Sequence, residues 1–166
     1  PRAHSTSFSL EATVLRATLA DGTSLVGRQL VGRQLVLPAG DGALALRIDA
    51  VEVDALIPGV FLYDMRARTS AGEWQSVCEP DGDGQRWAIP LSGQFTDDGR
   101  FEPHAGQLTL TCTSGVLGKC LRAGYRFWTA DSAVDTRALH QFQACTRLYR
   151  ADYCGDGQGW TADGTL

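Results

Sequence analysis

The sequence predicts a mainly β α+β domain: an antiparallel β-sandwich or barrel, disulfide-linked, with one C-terminal helix packed on it. Three observations carry this. From about residue 8 to 112 the chain breaks into short runs that alternate apolar and polar side chains, as half-buried strands do. Gly- and Asp-rich turn signals separate those runs at the spacing of an antiparallel sandwich rather than of βαβ units. From about residue 136 the apolar period changes from two to that of a helix, in the last third of the chain, which also holds four of the five cysteines.

The elements follow in order. Phe8, Leu10, Ala12 and Val14 alternate with Ser9, Glu11 and Thr13 as one strand, and Asp21-Gly22 marks a turn before Leu25. Val26-Gly27-Arg28-Gln29-Leu30 is repeated at once as Val31-Gly32-Arg33-Gln34-Leu35. A five-residue period flips faces in a strand, so a bulge at Gly27 or Gly32 is one reading and a chance duplication is the other; the unit is too short for a solenoid repeat. Residues 47–53 alternate again, and runs at 60–69, 74–78, 86–91 and 107–112 read as further strands. Turn signals at Gly72, at Asp81-Gly82-Asp83-Gly84 and at Asp97-Asp98-Gly99 separate them. A tight stretch over 113–124 comes next. From about 136 to 152, Ala138, Phe142, Cys145 and Tyr149 share one helical face, and Gly155 suits the position just past the helix end.

With 166 residues, 43% hydrophobic and 20% charged, the chain reads as a single domain over 1–166 with its own core. A β-rich body spans about 8–112 and a cysteine-rich, helix-containing segment spans 113–166. Fourteen arginines and one lysine are scattered among nineteen acids for a net charge of -4, so no basic stripe exists to neutralise phosphates, and nucleic acid is not an expected partner. The apolar stretches at 35–39 and 43–46 are far short of a transmembrane segment. No cofactor or metal is expected. The Asp81–Gly84 turn lacks the third acid and closing glutamate of a calcium loop, so it reads as an acidic turn. The absence of asparagine excludes N-glycosylation.

The cysteines suggest a compartment. Five in a small domain, without a CxxC pair, fit an oxidising environment better than a zinc site, which places the protein as secreted or in the cell envelope, periplasmic or extracellular. A start at Pro1 with no leader-like run reads as a mature or trimmed chain. Five cysteines allow fifteen patterns of two bridges and one thiol. A helix docked on a sheet gains most from links near both ends, so the expected bridges tie Cys145 and Cys154 to Cys112 and Cys120. Cys78, near Trp74, is then the odd thiol, a buried small hydrophobe or a bridge to a partner.

Two classes of function compete for these residues. Cys154 unpaired would be a candidate nucleophile, with His140 as base, Asp152 or Asp156 orienting it and Lys119 nearby as a cation. His140 shares a helical face with Ala144, Arg147 and Ala151, and the plain alternative is a histidine bonded to a loop carbonyl. Aromatic residues offer the second class: Tyr125, Trp128 and Trp160 could present a binding surface, or could simply pack in the core.

One stretch is more specific. Gly118-Lys119-Cys120-Leu121-Arg122-Ala123-Gly124-Tyr125-Arg126-Phe127-Trp128, then His140-Gln141, Cys145-Thr146-Arg147 and Arg150-Ala151-Asp152-Tyr153-Cys154-Gly155-Asp156-Gly157, resembles the ADYC-domain family of exported bacterial proteins. The resemblance runs back more weakly through Leu46-Arg47-Ile48-Asp49, Trp74, Cys78 and Ala88-Ile89-Pro90-Leu91-Ser92-Gly93. It implies export and a shared fold, and it implies no particular activity. It places a lysine at Lys119, which favours an ion pair with Asp152 or Asp156. Similar proteins continue past Asp163-Gly164-Thr165, so the end at Leu166 reads as an artificial boundary or a processing cut, with a C-terminal fragment of the same precursor as one partner. The expectation is therefore an exported, disulfide-stabilised binding or assembly module of the bacterial cell exterior, its partner a protein or surface ligand. The alternative is a thiol-dependent hydrolase, transferase or self-processing protein using Cys154 with His140.

Overall fold

A computed structural model describes residues 5–39, 42–96, 99–103 and 107–160. Its chain order is β1 (Ser5–Glu11), β2 (Val14–Leu19), β3 (Ser24–Val26), a 3-10 turn (Gly27–Leu30), β4 (Gln34–Ala39), β5 (Gly42–Val53), β6 (Phe61–Arg68), β7 (Trp74–Ser76), β8 (Ala88–Ser92), β9 (Gln94–Phe95), β10 (Phe101–Glu102), β11 (Leu108–Cys112), α1 (Val116–Arg122) and α2 (Thr136–Arg150). The fold is mainly β and antiparallel, with the predicted helix at its C-terminal side. Strands β1-β2-β3 form a small sheet. A large sheet runs in the order β11-β8-β6-β5-β4, with β7 also paired to β6, and β9 pairs with β10. The expected turn at Asp97-Asp98 and the end at 163–166 lie outside the described residues.

Adjacent side chains of a strand point to opposite faces, and β6 uses both. Tyr63 and Met65 enter a core with Leu15, Ala17, Leu30, Leu35, Leu46, Ile48 and Val51, between the two sheets. Leu62 enters a second core with Val60, Ile89, Leu91, Cys120, Leu121, Phe127, Phe142 and Cys145, beneath the helices. The large sheet is thus covered on both faces, which is why β8 reads as a continuous apolar run rather than an alternating one.

Several expectations are corrected. The alternating run 8–14 is not one strand: Ala12 has φ 55° and turns the chain between β1 and β2. Thr13 in that turn is buried; its hydroxyl accepts from Phe61 N at 2.8 Å and lies 3.4 Å from Gly59 O. The Tyr63 hydroxyl accepts from Leu15 N at 2.9 Å, donates to Thr13 O at 3.3 Å, and burial pushes its pKa up to about 12. The repeated pentapeptide is not a bulged strand either. Its first copy supplies the 3-10 turn and its second leads into β4, and the equivalent residues Leu30 and Leu35 enter the same core. A register shift between Ile48 and Ala50 falls in β5 instead.

The stretch 113–124 contains a second helix, α1, which the sequence reading did not anticipate. Gly118 lets it approach the end of β11, because a Cβ there would run into the Cys112 carbonyl. This helix decides the cysteine pairing. Cys120 on α1 faces Cys145 on α2, with Cα atoms 5.9 Å apart, and Cys78 is bridged to Cys112 at the end of β11 with Cα atoms 5.5 Å apart. The expectation of Cys78 as odd thiol and Cys154 as a bridge partner is therefore wrong: Cys154 is the free, exposed cysteine. The physical reason is that the helix is tied to another helix, not directly to the sheet at both its ends.

Candidate functional site at the end of the second helix

α2 begins with Asp135, whose side chain accepts from Ala138 N at 3.0 Å as an N-cap should. Its inner face carries Leu139, Phe142 and Cys145 into the second core. Tyr149, expected on that face, is instead 53% exposed, although Thr146 and Ala151 on either side of it are buried. The helix ends at Ala151, which adopts φ 52° and ψ 26°, while its N–H bonds Arg147 O and Leu148 O. This left-handed position usually belongs to glycine and costs alanine about 1 kcal/mol. Burial of the Ala151 methyl compensates for part of that cost.

Asp152 follows, 1% exposed. Its Oδ1 accepts from Gly155 N at 2.8 Å and Asp156 N at 3.1 Å, and its Oδ2 accepts from Gly157 N at 3.1 Å. Three converging N–H groups form a concave anion cradle, so the buried carboxylate is satisfied by the backbone it folds. Gly155 lies against the Arg147 guanidinium, where a Cβ would come within 2.7 Å of Cζ, and Trp160 N closes the loop onto Ala151 O at 2.9 Å. The outcome is a division of labour within four consecutive residues. Ala151 and Asp152 are buried and shape the loop; Tyr153 and Cys154 are presented to solvent, Tyr153 at 62% exposure.

The predicted catalytic residues are not assembled into one group by the described contacts. Asp152 is committed to its three N–H groups. His140 is exposed and lies ten residues before Arg150, a rise of about 15 Å along the helix. Lys119 is exposed on α1. Among the described residues no hydrogen bond or ion pair joins His140, Lys119 or Asp152 to Cys154, nor Lys119 to Asp152 or Asp156. The predicted aromatic surface also separates. Trp128 is half-buried and meets Phe127 edge-on at 5.1 Å, so it belongs to the second core's rim. Tyr125 is 43% exposed beyond α1, and Trp160 is 67% exposed in the loop region after α2.

A further cluster had no sequence signal. Arg122, at the end of α1, sits 3.1 Å from Asp54 Oδ2 and 3.4 Å from Asp81 Oδ2. Asp81 Oδ2 also accepts from the Thr113 hydroxyl at 2.7 Å, while its Oδ1 takes Gln85 N at 2.9 Å and Asp83 N at 3.1 Å. Burial pushes this carboxyl up, but those hydrogen bonds and Arg122 outweigh it and hold it below the ordinary aspartate range. The Asp81 oxygens are thus used within the protein, as an acidic turn requires. Among the described residues no three His, Cys, Asp or Glu side chains gather as a metal site.

The family model for the ADYC domain matches residues 27–166. The chain belongs to the ADYC-domain family. No curated protein and no solved structure matches it. In this ADYC domain the residues Ala151, Asp152, Tyr153 and Cys154 are the strained cap, the loop-folding anion and the two exposed side chains. What sequence reasoning missed is that Leu148 and Tyr149 join them at the surface. The signal for Leu148 was present, since it lies off the face defined by Ala138, Phe142 and Cys145.

Proposed function

We propose that the protein is an exported binding or assembly module of the bacterial cell exterior, with the end of α2 and the 151–157 loop as its contact surface. One observation carries this reading: Ala151 and Asp152 are buried to hold a loop whose Tyr153 and Cys154 stand in solvent. A backbone kept in a costly conformation, with a buried anion organising it, favours presentation of those two side chains over a turn that merely connects elements. Two bridges elsewhere support an oxidising compartment, and they leave Cys154 available to a partner.

The alternative of a thiol-dependent hydrolase, transferase or self-processing protein has its unpaired sulfur in Cys154. Against it, the Asp152 carboxylate is already engaged, and His140 is remote along the helix. The test attaches a benzophenone maleimide to Cys154 on the producing bacterium and follows photo-adducts through cell fractions. The expected result is an adduct in the envelope or medium that is lost when Tyr153 and Trp160 are both alanine. Recovery of the protein only from the cytosol, or turnover of thioester probes dependent on Cys154 and His140, overturns the reading.

A further inference from the structure

Two pairs among the five cysteines are close in sequence: Cys112 and Cys120 are eight residues apart, and Cys145 and Cys154 nine. The fold uses neither pair. Its bridges, Cys78–Cys112 and Cys120–Cys145, span 34 and 25 residues. In an unfolded chain the chance of closing a loop falls roughly as the three-halves power of its length, so Cys112 meets Cys120 about ninefold more often than it meets Cys78, and Cys145 meets Cys154 about fivefold more often than it meets Cys120. The two short pairs share no cysteine, and closing both leaves Cys78 as the remaining thiol. In the folded protein the remaining thiol is Cys154.

The completed fold separates both short pairs. Cys112 packs against the first core beside Cys78, whereas Cys120 is fully buried in the second, so the two side chains belong to cores on opposite faces of the large sheet. Cys145 is carried by the inner face of α2 into the second core, while Cys154 stands in solvent three residues past the left-handed cap Ala151. Formation of β11 and of the two helices draws the native partners together instead, with Cα atoms 5.5 Å apart for Cys78 and Cys112 and 5.9 Å apart for Cys120 and Cys145. Loop closure thus favours one pairing in the unfolded chain, and packing favours another in the folded one.

We infer that the odd thiol passes from Cys78 to Cys154 by two successive disulfide exchanges as the chain folds. In the first, the Cys78 thiolate attacks Sγ of Cys112: the Cys78–Cys112 bond forms, the Cys112–Cys120 bond breaks, and the electron pair leaves on Cys120. In the second, that Cys120 thiolate attacks Sγ of Cys145: the Cys120–Cys145 bond forms, the Cys145–Cys154 bond breaks, and Cys154 leaves as a thiolate that takes a proton from water. Two bridges and one thiol are present before, between and after these steps, so the relay consumes no oxidant. Only the two short bridges need one, a small-molecule or protein disulfide of an oxidising compartment. Cys154 therefore has a part in maturation that is separate from any contact with a partner: it holds Cys145 in a local bridge and is the last sulfur to leave.

The test refolds the full chain from its reduced, urea-unfolded form in a mixture of oxidised and reduced glutathione. Samples are quenched in acid, alkylated with N-ethylmaleimide and cut with trypsin, which separates all five cysteines because Arg86, Lys119, Arg122 and Arg147 fall between successive ones. The expected early two-bridge species carries the label on Cys78, with both short bridges closed and at least about fivefold more abundant than the native pairing. The label then moves to Cys154. That early species, freed of glutathione and returned to about pH 8, should convert to the native pairing with no oxidant added. Cys78→Ser removes the attacking sulfur, so its short-bridged form should persist under the same conditions, a readout that needs no folded product. Native bridges that close first, with Cys154 labelled from the outset, overturn the relay. So does a short-bridged wild type that rearranges only with added oxidant, or a Cys78→Ser chain that rearranges as fast as the wild type.

Discussion

Arg122 Nε lies 3.1 Å from Asp54 Oδ2, so one guanidinium at the end of α1 meets a carboxylate whose side chain is only 2% exposed in the connection between β5 and β6. The approach is a close ion pair without hydrogen-bond alignment. The same side chain reaches Asp81 in the connection between β7 and β8, so Arg122 fastens two loops to the helix that carries Cys120. Arg122→Met leaves two poorly hydrated carboxylates with no cation and should destabilise the fold by about 3 kcal/mol, read by urea unfolding. Arg122→Lys keeps the charge but cannot fork between both acids, and should fall between the two.

Asp81 gives the pH dependence a sign. Its folded-state carboxyl titrates below the unfolded value, so its contribution is fully present above the ordinary aspartate range and is lost as pH falls through the lower folded value. Thermal unfolding followed from about pH 6 to about pH 2 should show a fall in Tm at the acid end that is shallower in Asp81→Asn than in the wild type. An equally steep fall in that variant would place the acid sensitivity elsewhere.

The strands were legible because alternation survives wherever one face meets a core and the other does not, as with Leu46 and Ile48 in β5. Alternation could not reveal that the large sheet is buried twice, since Leu62 and Tyr63 are adjacent and both buried in different cores. α1 was hidden for a simple reason: seven residues with a glycine at 118 make too weak a helical pattern to detect. Once α1 is missing from the reading, Cys120 has no definite place and the pairing cannot be deduced. The motif at 151–154 was visible as text, but its roles were not. Whether Asp152 orients a histidine or folds its own loop depends on the path of backbone N–H groups after Gly155, which no spacing encodes.

The bridges make a joint prediction. They span 34 and 25 residues, so constraint of the unfolded chain alone gives each about 3.5 to 4 kcal/mol. Replacing either pair by serine should cost nearly the same, while Cys154→Ser should leave Tm within the scatter of a surface change. Alkylation of the native, non-reduced protein followed by peptide mass spectrometry should modify Cys154 alone. A native thiol at Cys78 would overturn the assignment.

Asp152→Ala removes the anion from three N–H groups that then have only water or each other. The loss should be about 2 kcal/mol, at the scale of a charge-assisted cluster near the surface. A more specific reading comes from hydrogen exchange: the amides of Gly155, Asp156 and Gly157 should exchange at least about tenfold faster, while those in β6 change only with global stability. Asp152→Asn keeps one acceptor but turns an NH2 toward an N–H, and should recover only part of the protection.

Gly118→Ala separates helix propensity from packing. In a free helix interior the substitution gains about 1 kcal/mol. Here the new Cβ meets the Cys112 carbonyl, a backbone group held in β11 and unable to rotate aside. Overpacking of this kind costs about 2 to 3 kcal/mol, so packing wins and the variant should be less stable by about 1 to 2 kcal/mol. Gly82→Ala is the matched control, since an added Cβ there meets nothing within 4 Å. Its unfolding free energy from urea titration should stay within about 0.5 kcal/mol of wild type. If Gly118→Ala proved as stable as that control, α1 would not be seated on the end of β11, and the approach that brings Cys120 to Cys145 would need a different cause.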